Sequence, residues 1–202
     1  MITEEKLKIL EKEATDHPQS VIAQHKLAIA YLILGKIQEA KITLKKVLKL
    51  DPYHFEALIN LGIILAQEGD LEEAKKAFSF ALKFYPNSFE AWSNLGLIEY
   101  QLGNLEEAEK CYLKALEIKE NFPSAWINLS TLLIEKGEFE RAVKVLKKAQ
   151  VLAPSLATIY NNLAVAYYYL GNKEEARLNL EKAKKLKYPV NSDFEKLVYE
   201  NT

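Results

Sequence analysis

Three histidines and one cysteine are the side chains in this sequence best suited to chemistry. His17, His25 and His54 are not spaced as metal-ligand pairs, and Cys111 lies far along the chain from all three. The sequence contains no Gly-rich phosphate loop, nucleophile elbow or His-Glu-x-x-His motif. We therefore predict no catalytic residue, no metal site and no cofactor, and we interpret Cys111 as a small, partly buried packing residue.

Paired glutamates are the second candidate for chemistry, because two neighbouring carboxylates can act as general acid and general base. The pairs are Glu72 with Glu73, Glu106 with Glu107, and Glu174 with Glu175. Each pair stands where a helix is expected to begin, and negative charge at that end of a helix complements the backbone dipole. We interpret the pairs as helix-stabilising rather than catalytic.

Charge and hydropathy narrow the classes of partner. The 27 Lys and Arg residues balance 28 Asp and Glu residues, so a net charge of -1 gives no general attraction to nucleic acid or to an anionic membrane. The longest apolar run, residues 27–34, is too short to cross a bilayer, and we expect no secretory leader at the mixed-charge N-terminus. A single cysteine excludes an internal disulfide. We expect a cytoplasmic protein that neither inserts into membranes nor binds nucleic acid.

A single period of 34 residues runs through most of the chain. Glycine follows this period, and so does an alanine five positions later; the residues are Gly35, Gly69, Gly103, Gly137, Gly171 and Ala40, Ala74, Ala108, Ala142, Ala176. Apolar residues at helical spacing stand on both sides of each glycine, so each period is expected to contain two helices joined by a left-handed glycine turn. Such a period indicates an all-α array of helical hairpins.

Local signals mark the beginnings of helices and the contacts between them. Asp70, Asn104 and Asn172 directly follow turn glycines, and each has a glutamate three residues later, a pattern that predicts an N-terminal capping box. Gly62 and Gly96 are predicted to lie where two helices approach closely.

The repeat resembles the tetratricopeptide (TPR) pattern of Trp-x2-Leu-Gly-x2-Tyr, Ala-x3-Phe and Pro over 34 residues. The third period carries this pattern as Trp92, Leu95, Gly96, Ala108 and Tyr112. The resemblance implies a right-handed helical-hairpin solenoid of five repeats. Their predicted boundaries within residues 21–190 are 21–54, 55–88, 89–122, 123–156 and 157–190.

The segments outside the five repeats are expected to cap the array. Residues 1–20 contain one predicted helix, over residues 3–16, that would cover the first repeat. Residues 191–202 are predicted to form a C-terminal capping helix, which Ser192 and Glu195 would open as a capping box.

TPR proteins bind ligands chiefly through the first helix of each unit, which lines a concave groove. Carried over to this sequence, that resemblance places Asn60, Asn94, Asn128 and Asn162 in a line along the groove, since they share the 34-residue step. An amide both donates and accepts hydrogen bonds, and it therefore suits the backbone of an extended peptide. Packing between repeats is the alternative role, because asparagine is common at this position in the family.

The same resemblance places more apolar side chains in the groove than a solvated surface requires, which predicts contact with a protein. The further predicted contact residues are Ile63, Leu97, Tyr100, Tyr168, Tyr169 and Lys26. Packing of the two C-terminal tyrosines against the end helix is an equally supported alternative. Glutamates make the groove mildly acidic, and the basic clamp of TPR proteins that hold a terminal carboxylate is missing, so an acidic C-terminal peptide is not the expected ligand.

These features predict a non-enzymatic adaptor or scaffold that binds a peptide or helix of a partner protein in its groove. Self-assembly into a homo-oligomeric scaffold is the alternative, with the end helix of one array docking in the groove of the next. Contact of RNA or lipid with the lysine-rich second helices, at Lys45, Lys46, Lys49 and residues 182–187, is a third reading that the charge balance disfavours.

Overall fold

A computed structural model describes residues 2–200 of the 202-residue chain, and within that range it contains twelve α-helices and no strand. The helices are α1 (Glu4–Asp16), α2 (Val21–Ile33), α3 (Ile37–Leu50), α4 (Phe55–Gln67), α5 (Leu71–Phe84), α6 (Phe89–Gln101), α7 (Leu105–Ile118), α8 (Pro123–Glu135), α9 (Phe139–Leu152), α10 (Ala157–Tyr169), α11 (Lys173–Lys185) and α12 (Ser192–Glu200). The all-α class predicted from the period is confirmed.

The chain divides into two compact units, residues 1–102 and 103–202. In the first unit α2 packs on α3 and α4 packs on α5, while α1 contacts α2 and α6 contacts α5. In the second unit α8 packs on α9 and α10 on α11, with α7 against α8 and α12 against α11. Each unit is thus built from helical hairpins, as the period predicted. The exact repeat boundaries and the capping roles of the two ends stay predictions.

Glycine makes the turn inside each hairpin, and the turn at Gly69 illustrates why. Its φ of 85° lies in the left-handed region, where a side chain would be strained. Gly69 N–H donates to the Ala66 carbonyl at 3.1 Å and Asp70 N–H donates to the Leu65 carbonyl at 2.9 Å, the two bonds of a Schellman motif. The other four turn glycines have φ between 71° and 80°. The left-handed turns predicted from the sequence are confirmed.

Side-chain capping after these turns is less regular than the sequence predicted. Asp70 and Asn104 occupy N-cap positions without a side-chain capping bond, whereas Asn172 accepts from the Glu175 backbone N–H at 3.2 Å. The tight turn holds ψ at 60° in Asp70 and at 67° in Asn104. Ser20, whose hydroxyl does cap α2, has a more extended ψ of 108°. The capping boxes predicted at Asp70 and Asn104 are therefore wrong.

The two terminal helices pack on their neighbouring hairpins. In α1, Leu7 and Ala14 join a buried cluster with Leu27 of α2, and Gln24 Nε2 donates to the Ala14 carbonyl at 2.9 Å. In α12, Val198 is 2% exposed and packs with the core of the α10–α11 hairpin.

The cap of α12 differs from the sequence prediction by one residue. Asn191 Oδ1 accepts from the Asp193 backbone N–H at 2.9 Å, while Ser192 is already the first residue of the helix. The capping box predicted for Ser192 and Glu195 is therefore wrong, because the side chain one position earlier satisfies the first free N–H groups.

An ion-pair cluster links three helices of the second unit. Glu109 of α7 accepts from Lys136 Nζ at 2.6 Å and from the guanidinium of Arg141 in α9. Burial alone raises the pKa of Glu109, but the hydrogen bonds from Lys136 and Arg141 outweigh it and hold that pKa below its usual 4.5. The charges are compensated locally, so the cluster is structural.

Candidate functional site

The candidate site in each unit is the surface of the first helix of its hairpins, which we call the first-helix face of that unit. It is formed by α2, α4 and α6 in the first unit and by α8 and α10 in the second. The predicted contact residues are distributed as Lys26 on α2, Asn60 and Ile63 on α4, Asn94, Leu97 and Tyr100 on α6, Asn128 on α8, and Asn162, Tyr168 and Tyr169 on α10. Within the units, α4 lies beside α6 and α8 lies beside α10.

Three of the four predicted asparagines have amides free for a ligand. Asn60, Asn94 and Asn128 are partly exposed. Among the residues that the structure describes, none of these three amides has a hydrogen-bond partner. Each amide can therefore donate and accept at once without breaking an internal bond.

Asn162 differs from the other three. It is only 8% exposed, and its Nδ2 donates to Thr131 Oγ1 at 3.1 Å and lies 3.4 Å from Ser130 Oγ. These hydroxyls stand 31 and 32 residues before Asn162 in the sequence. The residues at the same distances before Asn94 are Ile63 and Gly62, which have no hydroxyl. Asn162 thus makes the inter-hairpin packing contact that was the alternative role, because only its neighbouring repeat supplies hydroxyl partners.

Apolar side chains flank the free amides in the first unit. Leu97 is 38% exposed and Ile63 is partly exposed. Tyr100, one turn along α6 from Leu97, is also partly exposed. The surface therefore combines polar backbone-like groups with apolar area, the composition of a protein-contact surface.

The two tyrosines at the end of α10 have different surroundings. The ring of Tyr168 meets Phe194 of α12 edge-on, with centroids 5.7 Å apart, and is partly buried against the hydrophobic cluster of that end. Tyr169 is 61% exposed and stacks on Phe139 at 4.8 Å. The sequence left open whether these tyrosines pack against the end helix or contact a ligand. Tyr168 packs against the end helix, whereas Tyr169 keeps most of its surface exposed.

An unforeseen histidine pair lies at the start of the first-helix face. The rings of His25 and His54 are 4.4 Å apart, and the buried Nε2 of His25 has no hydrogen-bond partner among the described residues. His54 Nδ1 accepts from the Ala57 N–H at 3.3 Å and so caps α4. Burial, and secondarily the neighbouring His54, lower the pKa of His25 below its usual 6.5, with Glu56 opposing them.

In the described part of the chain, no group of three metal-binding side chains includes either histidine. Sequence reasoning missed the pair because its members lie 29 residues apart, His25 within α2 and His54 at the N-cap of α4. Nearby, Lys26 pairs with Glu13 of α1 at 3.3 Å and remains more than half exposed.

An open cleft of about 680 Å³ lies beside the first-helix face, where two inter-hairpin turns run next to each other. Asp51, Glu56 and Glu90 contribute carboxylates to its lining, and Phe55 and Tyr85 contribute rings. The cleft has no lysine or arginine in its lining, so the α4 and α6 end of the face carries negative charge. This agrees with the mildly acidic groove expected from the sequence. Within residues 2–200, no helix has the length and apolar composition needed to cross a membrane.

Family models for tetratricopeptide repeats match most of the chain. Those described as tetratricopeptide repeat match residues 31–95, 89–122, 111–144 and 157–188, and one described as TPR repeat matches residues 131–171. Together the matches run from residue 31 to residue 188. No curated protein sequence matches the chain.

Solved structures with the same fold share little sequence with the chain. The pilF protein of Pseudomonas aeruginosa superimposes with a TM-score of 0.83 at 22% identity, covering 98% of this chain and 89% of its own. YrrB, described as a TPR protein with an unusual peptide-binding site, gives 0.72 at 21% identity, covering 95% of this chain and 96% of its own. MamA gives 0.72 at 23% identity over 80% of this chain and 94% of its own. At these identities the likeness establishes the fold alone.

Proposed function

Because the chain belongs to the tetratricopeptide repeat family, we propose that it is a non-enzymatic adaptor whose first-helix faces bind an extended or helical segment of a partner protein. The proposal requires no cofactor. A peptide ligand is also the class described for YrrB, which has the same fold.

The free amides of Asn60, Asn94 and Asn128 are the observation that carries this proposal. A partly exposed amide without an internal partner offers a donor and an acceptor to the peptide unit of a ligand, whatever the ligand's side chains. Since Asn60 and Asn94 repeat at the 34-residue step on the adjacent helices α4 and α6, they present the same pair of groups twice within one unit.

Apolar contact supplies the affinity that hydrogen bonds alone do not. Leu97 and Ile63 in the first unit and Tyr169 in the second leave apolar surface uncovered. Tyrosine is a favoured anchor because it buries a large area with few rotatable bonds. Asn162 and Tyr168 support the face from within rather than contacting the ligand, since both already pack against other residues of the second unit.

The test compares Asn60→Ala/Asn94→Ala with Asn121→Ala, an exposed asparagine in the turn before α8. Partners retained by the wild type are identified by mass spectrometry, and the binding segment is then titrated calorimetrically. Losing two ligand hydrogen bonds of about 0.7 kcal/mol each weakens binding about tenfold. If the double variant binds as tightly as the Asn121 control, the first-helix face of the first unit is not the site.

Self-assembly is the alternative function, and it is tested separately. Light scattering over a range of protein concentrations, with and without residues 192–202, reports any association through the end helix. A strictly monomeric chain rejects it.

We also propose a cytoplasmic location, which the single buried Cys111 supports; a fusion protein found outside the cytoplasm would contradict this.

A further inference from the structure

Four aromatic rings form an exposed cluster on the first unit, and one of them, Tyr85, also lines the open cleft beside the first-helix face. Tyr53 follows α3 and is 50% exposed, while Phe80 and Phe84 on α5 are 38% and 43% exposed. Tyr85, directly after α5, is 39% exposed. We call these four residues the aromatic patch. Soluble proteins seldom leave contiguous aromatic surface uncovered without a binding role.

The aromatic patch is held in place by its own contacts. The ring of Tyr53 lies 4.5 Å from that of Phe84 and 6.1 Å from that of Phe80, and the two phenylalanine rings are 5.1 Å apart. Tyr85 donates its hydroxyl proton to the Tyr53 carbonyl at 2.8 Å and packs against Phe55 at 5.0 Å. A partner therefore meets preformed rings, which reduces the entropy lost on binding.

The repeat fold does not require these rings. At the position of Phe80 the other four repeats all have lysine, and at the position of Tyr53 they have small or polar turn residues; the residues are Lys46, Lys114, Lys148, Lys182 and Asn87, Asn121, Ser155, Pro189. The core of the α4–α5 hairpin is instead built from Phe78, Ala81 and Leu82, which are buried on another side of α5. The aromatic patch thus spans the junction of the first and second predicted repeats, and its Phe80 stands where the other repeats carry a charged side chain.

One lysine lies against the aromatic patch, and a second precedes Tyr53 in the sequence. Lys83 Nζ is 5.9 Å from the centre of the Phe84 ring, and Lys49 is exposed in the last turn of α3, shortly before Tyr53. Within the described part of the chain, neither lysine forms an ion pair. On the cleft side the carboxylate of Asp51 accepts from the Tyr53 backbone N–H at 3.1 Å, whereas the charges of Lys49 and Lys83 have no ion-pair partner within residues 2–200. The lysine side of the patch is therefore complementary to apolar side chains flanked by carboxylates.

We propose that the aromatic patch docks an acidic amphipathic segment of another protein, whose aliphatic or aromatic side chains cover the rings while its Asp and Glu residues pair with Lys49 and Lys83. A second copy of this chain fits less well, because a symmetric contact through the patch would bring the lysines of both copies together. Single-stranded nucleic acid also fits less well: the Tyr53 and Phe80 rings are within 10° of parallel, but the Phe84 ring beside them is tilted by about 60° to both and interrupts a run of stacking platforms.

The test selects random peptides of roughly 16 residues on the full-length protein, with counter-selection on Tyr53→Asn/Phe80→Ser. Asparagine stands at the Tyr53 position in two other repeats, and Phe80 is exposed, so the helicity and unfolding midpoint of this variant should match the wild type. Leu178→Ser is the matched control, because Leu178 is an apolar side chain of the other unit that is 65% exposed. Selected peptides are expected to combine apolar and acidic residues and to lose at least about tenfold in affinity on the patch variant alone.

Charge reversal gives the decisive result. Lys49→Glu/Lys83→Glu should reject the selected acidic peptides and bind their lysine-substituted copies. Asn60→Ala/Asn94→Ala should bind them unchanged, which separates this proposal from the proposed function of the first-helix face. Failure to recover patch-dependent peptides, recovery of basic ones, tighter binding of oligothymidine, or concentration-dependent dimerisation lost on Tyr53→Asn/Phe80→Ser would each overturn the proposal.

Discussion

Adding one methyl group at Gly62 tests how tightly the helices of a hairpin are packed. A Cβ at this position in α4 would lie 2.7 and 2.8 Å from two atoms of the Phe78 ring in α5, well inside normal contact distance. Phe78 is 1% exposed, so its ring has no free volume into which to rotate. Gly62→Ala must therefore displace the ring or separate the helices.

Other repeats of the same chain show how the contact accommodates an alanine. The residues corresponding to Gly62 and Phe78 are Ala28 and Leu44 in the first repeat and Ala164 and Leu180 in the fifth. Both leucines are fully buried. The smaller side chain on the second helix leaves room for the methyl group on the first, so Phe78→Leu is expected to rescue Gly62→Ala.

The magnitudes can be estimated from opposing effects. Overpacking costs about 1–3 kcal/mol, while replacing glycine by alanine inside a helix gains about 1 kcal/mol. Gly62→Ala is thus expected to lower the free energy of unfolding by about 1 kcal/mol. Phe78→Leu alone loses about 1–2 kcal/mol through the cavity it leaves. The double variant should lie within about 0.5 kcal/mol of the wild type, giving a coupling energy of about 2 kcal/mol.

Urea denaturation followed by circular dichroism measures all three variants. Ser79→Ala, at an exposed position of α5, controls for helix propensity without a steric change. The reasoning is refuted if Gly62→Ala stabilises the protein by the propensity gain alone, or if the effects of the two substitutions simply add.

Three further predictions concern the turn, the histidine pair and the asparagines. Gly137→Ala should cost about 1 kcal/mol in thermal unfolding through its left-handed backbone alone, because φ is 73° and, beyond Gly137 and its two chain neighbours, no described atom lies within 4 Å of the added carbon; an unchanged midpoint contradicts this. Since the folded pKa of His25 is lowered, the unfolded chain binds the proton more readily, so stability should fall as pH drops below about 6.5. His25→Gln should weaken this dependence in urea titrations at about pH 7.5 and about pH 5.5, and an NMR midpoint above 6.5 for His25 would refute it. Asn162→Ala should lose about 1–2 kcal/mol of stability with its bond to Thr131, whereas Asn94→Ala should change stability by less than about 0.5 kcal/mol; equal losses would remove the distinction drawn between them.

The sequence by itself determined the hairpins and their turns. Apolar residues three and four positions apart predict a helix, and a glycine after them predicts a left-handed turn. Both predictions depend only on neighbours within a few residues. The glycines at the 34-residue step accordingly predicted the turns at Gly69 and its equivalents. Where the backbone torsion of one residue mattered, as at Asp70 and Asn104, the residue type alone predicted a cap that the turn geometry does not allow.

Tertiary structure decided which repeated residues are available to a ligand. Asn94 and Asn162 occupy the same position of their repeats, yet only the Asn162 amide is hydrogen-bonded. The preceding hairpin supplies the hydroxyl of Thr131 to Asn162, whereas the corresponding residue before Asn94 is Ile63. The meeting of His25 with His54 and the exposed rings beside Tyr53 were likewise decided between helices. A period specifies the local conformation of every repeat equally, whereas burial and pairing depend on the neighbouring repeat, and in this chain the neighbours differ.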